Sequence, residues 1–350
     1  MKLIYNALVR SILDYGSFVL IPCNRGALAA LDRLQSQCLR IISGCMKSSP
    51  VNALQVECAE PPLALRRQYL ASRFLSRVFP KSSHPLIPKL QNLDSLCRSS
   101  KYWEHKEIPL ILKTYRFIQN LNCPINQNRR LPLYNFSYEV LCFIPKIFYN
   151  IGISKNSPSA NSAFNAVVEE RWLGFQRFFT DASKLTSCSY TGAAVYYQNS
   201  RIILKLKCPK ESSVFTGECV ALLEACMFIE SHDISSGVIF SDSLSCLQAL
   251  SQNPFKSKLH SPIILNIKKV LLSCSIQQKE VHLVWIPSHC GIKGNECVDA
   301  LAKDACTSVT ADPAHFSLQG YDLLNLPKAH LETAWQEYWD VSSKKKVPSY

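Results

Sequence analysis

The stretch Gly174–Cys208, GFQRFFTDASKLTSCSYTGAAVYYQNSRIILKLKC, decides how this chain folds. It holds three runs rich in aromatic and β-branched residues, GFQRFFTDAS, GAAVYYQNSR and RIILKLKC. Such runs read as strands, and the short Gln198–Asn199–Ser200 turn predicts an antiparallel meander. Downstream the pattern alternates. TGECVALLEACMFIES reads as helix, SGVIFSD as a short apolar strand, SLSCLQALS and PIILNIKKVLLSC as helices, EVHLVWIPS as a strand and NECVDALAKDAC as a helix. Three antiparallel strands followed by helix–strand crossovers predict an α/β fold, a five-stranded mixed sheet with helices packed on it.

Upstream the chain differs in kind. Residues 1–80 read as helices: in GALAALDRLQSQCLRIISG the residues Leu31, Leu34, Cys38, Ile41 and Ile42 recur at helical spacing, and Gly44 supplies a stop. A further amphipathic helix is expected after Pro62. Residues 81–165 are punctuated by Pro85, Pro88, Pro109, Pro124, Pro132, Pro145 and Pro158 and read as a loosely structured connection ending in SKNSPSANSA. A domain over 166–310 follows, and 311–350 reads as a C-terminal helix, PKAHLETAWQEYWD, with a basic tail.

The 350 residues are enough for two domains with separate cores, and 47% hydrophobic content excludes general disorder. The net charge of +13 is unevenly spread: residues 1–160 hold 21 Lys and Arg against 8 Asp and Glu, whereas 161–350 hold 18 of each. A basic half of this kind suits a phosphate backbone, since counterion release favours binding regardless of base sequence. A merely solvated cationic surface is the alternative. Sixteen cysteines are scattered without a Cys-x-x-Cys pair or a leader segment. That pattern points to a reduced intracellular setting, nucleus or cytoplasm, rather than secretion, and Cys219, Cys226, Cys290 and Cys297 read as small apolar fillers. No apolar run approaches the length of a membrane span, so no membrane association is expected.

Four acids stand where acids are costly. Asp181 and Asp242 are read at the C-terminal ends of their strands, the rim where open sheets carry ligands. Glu218 shares a helical face with Leu222, Ala225 and Ile229, and Asp299 flanks the apolar stripe of its helix. Singly, each has an ordinary reading: Asp242 as a helix N-cap, Glu218 as a partner of the helix dipole, Asp299 as an exposed helix acid, His289 as a surface histidine. Together they have another, because carboxylates about 4 Å apart repel by about 4 kcal/mol at an effective dielectric near 20, and convergence requires cations. Oxygen ligands favour Mg²⁺, with Mn²⁺ as a substitute. Two such ions clamp the attacking and leaving oxygens of a phosphodiester.

In order along the chain, TDAS, TGECVAL, SDSLSCLQAL and WIPSHCGIKGNECVDALAKDA (Trp285–Ala305) resemble type 1 ribonuclease H, above all the version carried by non-LTR (LINE-like) retrotransposon polyproteins. The resemblance covers about residues 170–308. It implies a ribonuclease H-like fold, with Asp181, Glu218, Asp242 and Asp299 as ligands of two Mg²⁺ ions. It also implies His289 as a mobile-loop histidine that helps proton transfer or product departure, and Gly294, Asn295 and Glu296 as the adjoining loop. The implied reaction is hydrolysis of the RNA strand of an RNA/DNA hybrid, read by shape and 2′-hydroxyls rather than base edges. Ser183, Lys184, Ser243 and Asn295 are the expected phosphate contacts, and Trp285 is expected to pack in the sheet.

The basic segments IYNALVRSILDYGSFV, LDRLQSQCLRIISG and PPLALRRQYLASRFL resemble, less sharply, the region after the polymerase core of the same reverse transcriptases. No Tyr-x-Asp-Asp accompanies them. A remnant is therefore expected over 1–80, in which Arg40, Lys47, Arg66, Arg67, Arg73 and Arg77 either grip nucleic acid or solvate helix faces. Two other functions stay open, a related nuclease acting on DNA and a catalytically idle nucleic-acid-binding remnant.

Overall fold

The computed structural model describes all residues except 82, 122–131, 154–158, 186, 187, 189, 257–260, 315–317, 319 and 345–350. The chain divides into two compact units, Met1–Asn122 with Leu323–Tyr350, and Cys123–Asp322.

The first unit is helical. Helices α1 (Lys2–Ile4) and α2 (Ser11–Asp14) flank a π-helical turn, followed by α3 (Arg25–Ser43), α4 (Val51–Glu57), α5 (Leu63–Val78), α6 (Leu86–Ser99), α7 (Lys101–Glu104) and α8 (Leu110–Gln119). The Asn24 side chain accepts the Gly26 amide at the start of α3, and Gly44, with φ of 69°, ends it as expected. On α5 the residues Leu63, Arg67, Ala71, Leu75 and Val78 are buried, one stripe at helical spacing. The Pro-rich stretch is more regular than its composition predicts. Pro85 and Pro109 take the N-cap positions of α6 and α8, and Pro88 lies in the first turn of α6, places where the missing amide costs no hydrogen bond. Pro124, Pro158 and most of the basic tail lie outside the described residues.

The second unit begins with α9 (Tyr138–Cys142), β1 (Lys146–Phe148) and α10 (Ala160–Arg171). It continues with β2 (Gln176–Lys184), β3 (Thr191–Tyr197), β4 (Ile202–Lys207), α11 (Val214–Ser231), β5 (Ser236–Ser241) and α12 (Leu244–Ser251). It closes with α13 (Pro262–Ile276), β6 (Glu280–Trp285), α14 (Lys293–Thr307) and β7 (Asp312–Pro313). Helix α15 (Gly320–Lys344) returns the chain to the first unit. Thus α10 starts inside the stretch read as a connection, and Phe164, Val168 and Trp172 at and beyond it are buried in the sheet core.

The sheet order is β1-β6-β5-β2-β3-β4-β7. The meander β2–β3–β4 is antiparallel, while β5 pairs parallel with β2 and β6 parallel with β5. The five expected strands form its centre. The short strands β1 and β7 extend it at the two edges, too brief for periodicity to reveal. Side chains alternate between two cores: Phe178, Ile239 and Leu283 face α11, α12 and α13, whereas Phe179, Phe240 and Val284 face α10 and α14. Burying each such side chain contributes roughly 1.5–3 kcal/mol, which fixes the register of the strands that carry the acids.

One expectation changes. Asp181 does not end its strand, because β3 continues to pair with β2 through Lys184, with Asp181 opposite Ala194. What ends near it is the parallel pairing with β5, whose last pair is Thr180–Ser241. Asp181 and Asp242 are each the next residue beyond that pair, so they stand level at the rim all the same.

Candidate active site

Helix α11 delivers the third acid. Its N-cap Ser213 accepts the Thr216 amide, and Asp322 accepts from both the Ser213 amide (3.0 Å) and the Thr216 hydroxyl (2.6 Å). Gly217 lets the helix sit close on the meander: a Cβ there would lie 2.7 Å from that of Ala182 and 2.8 Å from Thr191 Cγ2. The next residue is Glu218, 6% exposed and buried on the same face as Leu222, Ala225 and Ile229.

Asp242 lies between β5 and α12. The N-cap of α12 is Ser243, so the Asp242 carboxylate is not used as a cap and instead accepts from Asn295 Nδ2 at 3.1 Å. The Asp242 carbonyl accepts the Trp285 indole N–H at 3.2 Å, which packs Trp285 in the sheet as expected and pins the end of β5. Carboxylate oxygens of Asp181, Glu218 and Asp242 all lie within 4.8 Å of one another.

At that spacing each pair of full charges costs about 3.5 kcal/mol at an effective dielectric near 20. Burial, reinforced by the charge of Asp242, pushes Asp181 up to about 7. Burial also holds Glu218 well above the ordinary carboxyl value, with Asp181 and Asp242 adding to it. The two carboxyls also act on each other, in the direction that raises Glu218 and lowers Asp181. Asp242 is raised by burial too, against the lowering effect of the Asn295 hydrogen bond. Glu218 Oε2 and Asn295 Oδ1 are buried without a hydrogen-bond partner among the described residues. Clustered carboxylates and an orphaned buried oxygen make a site that fits a hard divalent cation, held by Asp181, Glu218 and Asp242.

Asp299, expected with these three, belongs to a neighbouring group. It lies with His289 and Glu296, whose ligand atoms also fall within 4.8 Å of one another. Its carboxylate is 2.6 Å from Lys303 Nζ, one turn along α14. Its charge still reaches the triad, raising both Asp181 and Asp242. His289 is exposed, in the left-handed region at φ 53°, two residues before Gly291 at φ 82°. Cys290 donates to the Pro287 carbonyl, and the Gly291 amide donates to Glu296. Glu296 therefore closes the turn that presents His289.

The expected phosphate contacts divide. Asn295 is buried and engaged with Asp242, and Lys184 donates to the Ser212 carbonyl. Ser183 and Ser243 flank two of the acids in sequence, Ser183 half-buried beyond Asp181 and Ser243 next to Asp242. Sequence reasoning placed Glu296 in the loop but not as a carboxylate partner of His289, and it missed Lys303 and Asp322. The i, i+3 and i, i+4 spacings around Asp299 carried the first two signals. Asp322 had none, being about a hundred residues from the helix it caps.

Residues 176–307 match the family model described as RNase H, from β2 through α14. The match supports an RNase H domain in that segment, a nuclease class of hydrolase and nucleic acid as its ligand. No curated protein matches the chain. Among the described residues, no helix is long and apolar enough to cross a membrane.

Proposed function

We propose that this domain hydrolyses the RNA strand of RNA/DNA hybrids, with two Mg²⁺ ions, or Mn²⁺ in their place, held by Asp181, Glu218, Asp242 and Asp299. The observation that carries the reading is the Asp181–Glu218–Asp242 cluster, buried and mutually repelling, within the segment that matches RNase H. When bound, the cations neutralise the carboxylates and stabilise charge on the attacking and leaving oxygens of an in-line displacement. The chain's own residues do the rest. Asp181 and Glu218, both raised by burial, would give up protons when they bind cations. Asn295 orients the Asp242 carboxylate. His289, exposed on its turn, exchanges a proton with water or the departing strand. Ser183, Lys184, Ser243 and Asn295 are the proposed phosphate contacts.

The motif resemblance further supports an origin in a non-LTR retrotransposon, with residues 1–80 as a remnant of its reverse transcriptase. One observation favours a second reading, an idle nucleic-acid-binding remnant: Lys303 occupies Asp299. An assay on an end-labelled RNA/DNA hybrid with Mg²⁺ separates the two. Hybrid-specific cleavage, lost in Asp181→Asn, is the expected result; no cleavage by the folded parent, or equal cleavage by Asp181→Asn, overturns the proposal.

A further inference from the structure

Most of the chain's net charge belongs to the first unit. Residues 1–122 and 323–350 together hold 21 Lys and Arg against 10 Asp and Glu, a net +11 of the +13. Several of these cations are neutralised internally: Arg10 pairs with Glu60, Arg66 with Asp14, and Arg98 and Arg116 with Asp94. Arg73 and Arg77 have no ion-pair partner among the described residues, and both are exposed. With Tyr69 they form one stripe of α5, each four residues from the next.

That stripe lines a cavity of about 450 Å³ whose other wall is α15, at Asn325, Lys328 and Glu332. A second cavity of about 460 Å³ adjoins it and shares Glu332. It is a slot between Trp335 and Trp339 on α15 and Val56 and Ala59 at the end of α4. Lys328, Glu332, Trp335 and Trp339 follow one another at three- and four-residue steps, so a single face of α15 carries a cation at one end and two indoles at the other. Among the described residues, Glu332, 3.6 Å from Lys328, is the one acid lining either cavity.

We infer that this groove is a second nucleic-acid site, which binds a single strand with phosphates on Arg73, Arg77 and Lys328 and a base in the Trp335–Trp339 slot. Charge complementarity selects a polyanion. The indole slot selects one with free planar faces, because every unpaired base can stack on an aromatic ring, whereas duplex bases are already stacked. An acidic peptide satisfies the cations but leaves the slot without its partner. The inference does not rest on the nuclease reading, and its test involves neither hybrid nor divalent ion.

The test is fluorescence anisotropy of the full chain with a labelled oligothymidylate of about ten nucleotides, in EDTA, across a salt series. The parent binds, and intrinsic tryptophan fluorescence is quenched. Arg73→Gln with Arg77→Gln weakens binding about tenfold and flattens the log–log salt slope by about 1.4, the contribution of two phosphate contacts on a single strand. Trp335→Ala weakens binding about tenfold, and Trp335→Phe restores most of it. Circular dichroism melts of the arginine variant match the parent, since both side chains are exposed. Unchanged affinity and slope in the arginine variant overturn the proposal. So does equal binding of duplex DNA or polyglutamate, which would make the groove a general anion surface. If Trp335→Ala fails to fold, the arginine variant and the tryptophan quench decide the matter.

Discussion

Asp181 and Glu218 are held by opposing demands, burial that removes charge and the proposed cation binding that needs it. In the metal-free protein Asp181 is raised to about 7, so the folded state keeps a proton that the unfolded chain releases near pH 4. Stability from this group is complete below about pH 4 and is lost as pH rises through about 7. Thermal melts in EDTA should therefore show Asp181→Asn gaining on the parent between about pH 5 and about pH 8, and Mg²⁺ should raise the melting temperature of the parent but not of the variant. A parent that gains stability relative to Asp181→Asn over that range contradicts the assignment. His289, exposed and outside the triad, has a smaller share. His289→Ala should slow cleavage by about 100-fold without abolishing it, whereas Asp242→Asn should abolish it. Lys303→Ala removes the 2.6 Å pair that holds Asp299. If Asp299 completes the metal site, the Mg²⁺ concentration for half-maximal cleavage should fall about threefold, in line with the modest strength of a half-exposed pair.

At the scale of elements, the site depends on how closely α11 lies on the meander. Gly217→Ala places a Cβ 2.7 Å from that of Ala182, neither of them a flexible chain end, so the helix must lift and carry Glu218 away from Asp181. A loss of about 2–3 kcal/mol in urea unfolding, with a fall in cleavage beyond what unfolding explains, is the expected result. The same elements show what was legible beforehand. Strands β2 to β6 and helices α11 to α14 were plain from alternation and helical spacing because each buries one face or both in a shared core. Helices α6 and α8 within 81–165 were hidden because their prolines, counted as breakers, sit at N-caps and in a first turn. Strands β1 and β7, three and two residues long, carry no period at all.

At the scale of the whole molecule, the RNase H match ends at residue 307, short of Asp322. That buried carboxylate caps the start of α11 through Ser213 and Thr216. The match also begins after α10, whose Phe164 and Val168 fill the core beneath Phe179 and Phe240. A fragment of residues 176–307 should therefore be unfolded or markedly less stable than one of residues 132–322, by circular dichroism melting. Asp322→Ala in the full chain should cost about 1–3 kcal/mol, since it removes two hydrogen bonds to a charged group at the start of α11. Equal melting of the two fragments would show that these flanks add nothing to the segment that matches RNase H.

Spacing along the chain was enough to read the α/β class, the antiparallel meander and the helices of residues 1–80, and to single out acids in costly positions, because periodicity and the cost of a carboxylate in an apolar stripe are local properties. Three facts needed the folded chain: that Asp181, Glu218 and Asp242 meet within 4.8 Å, that Asp299 stands beside them on Lys303, and that Asp322 holds the helix from a hundred residues away. Each is a distance between segments remote in sequence. Such distances follow from how the sheet twists and how closely the helices settle on it, which no local pattern encodes.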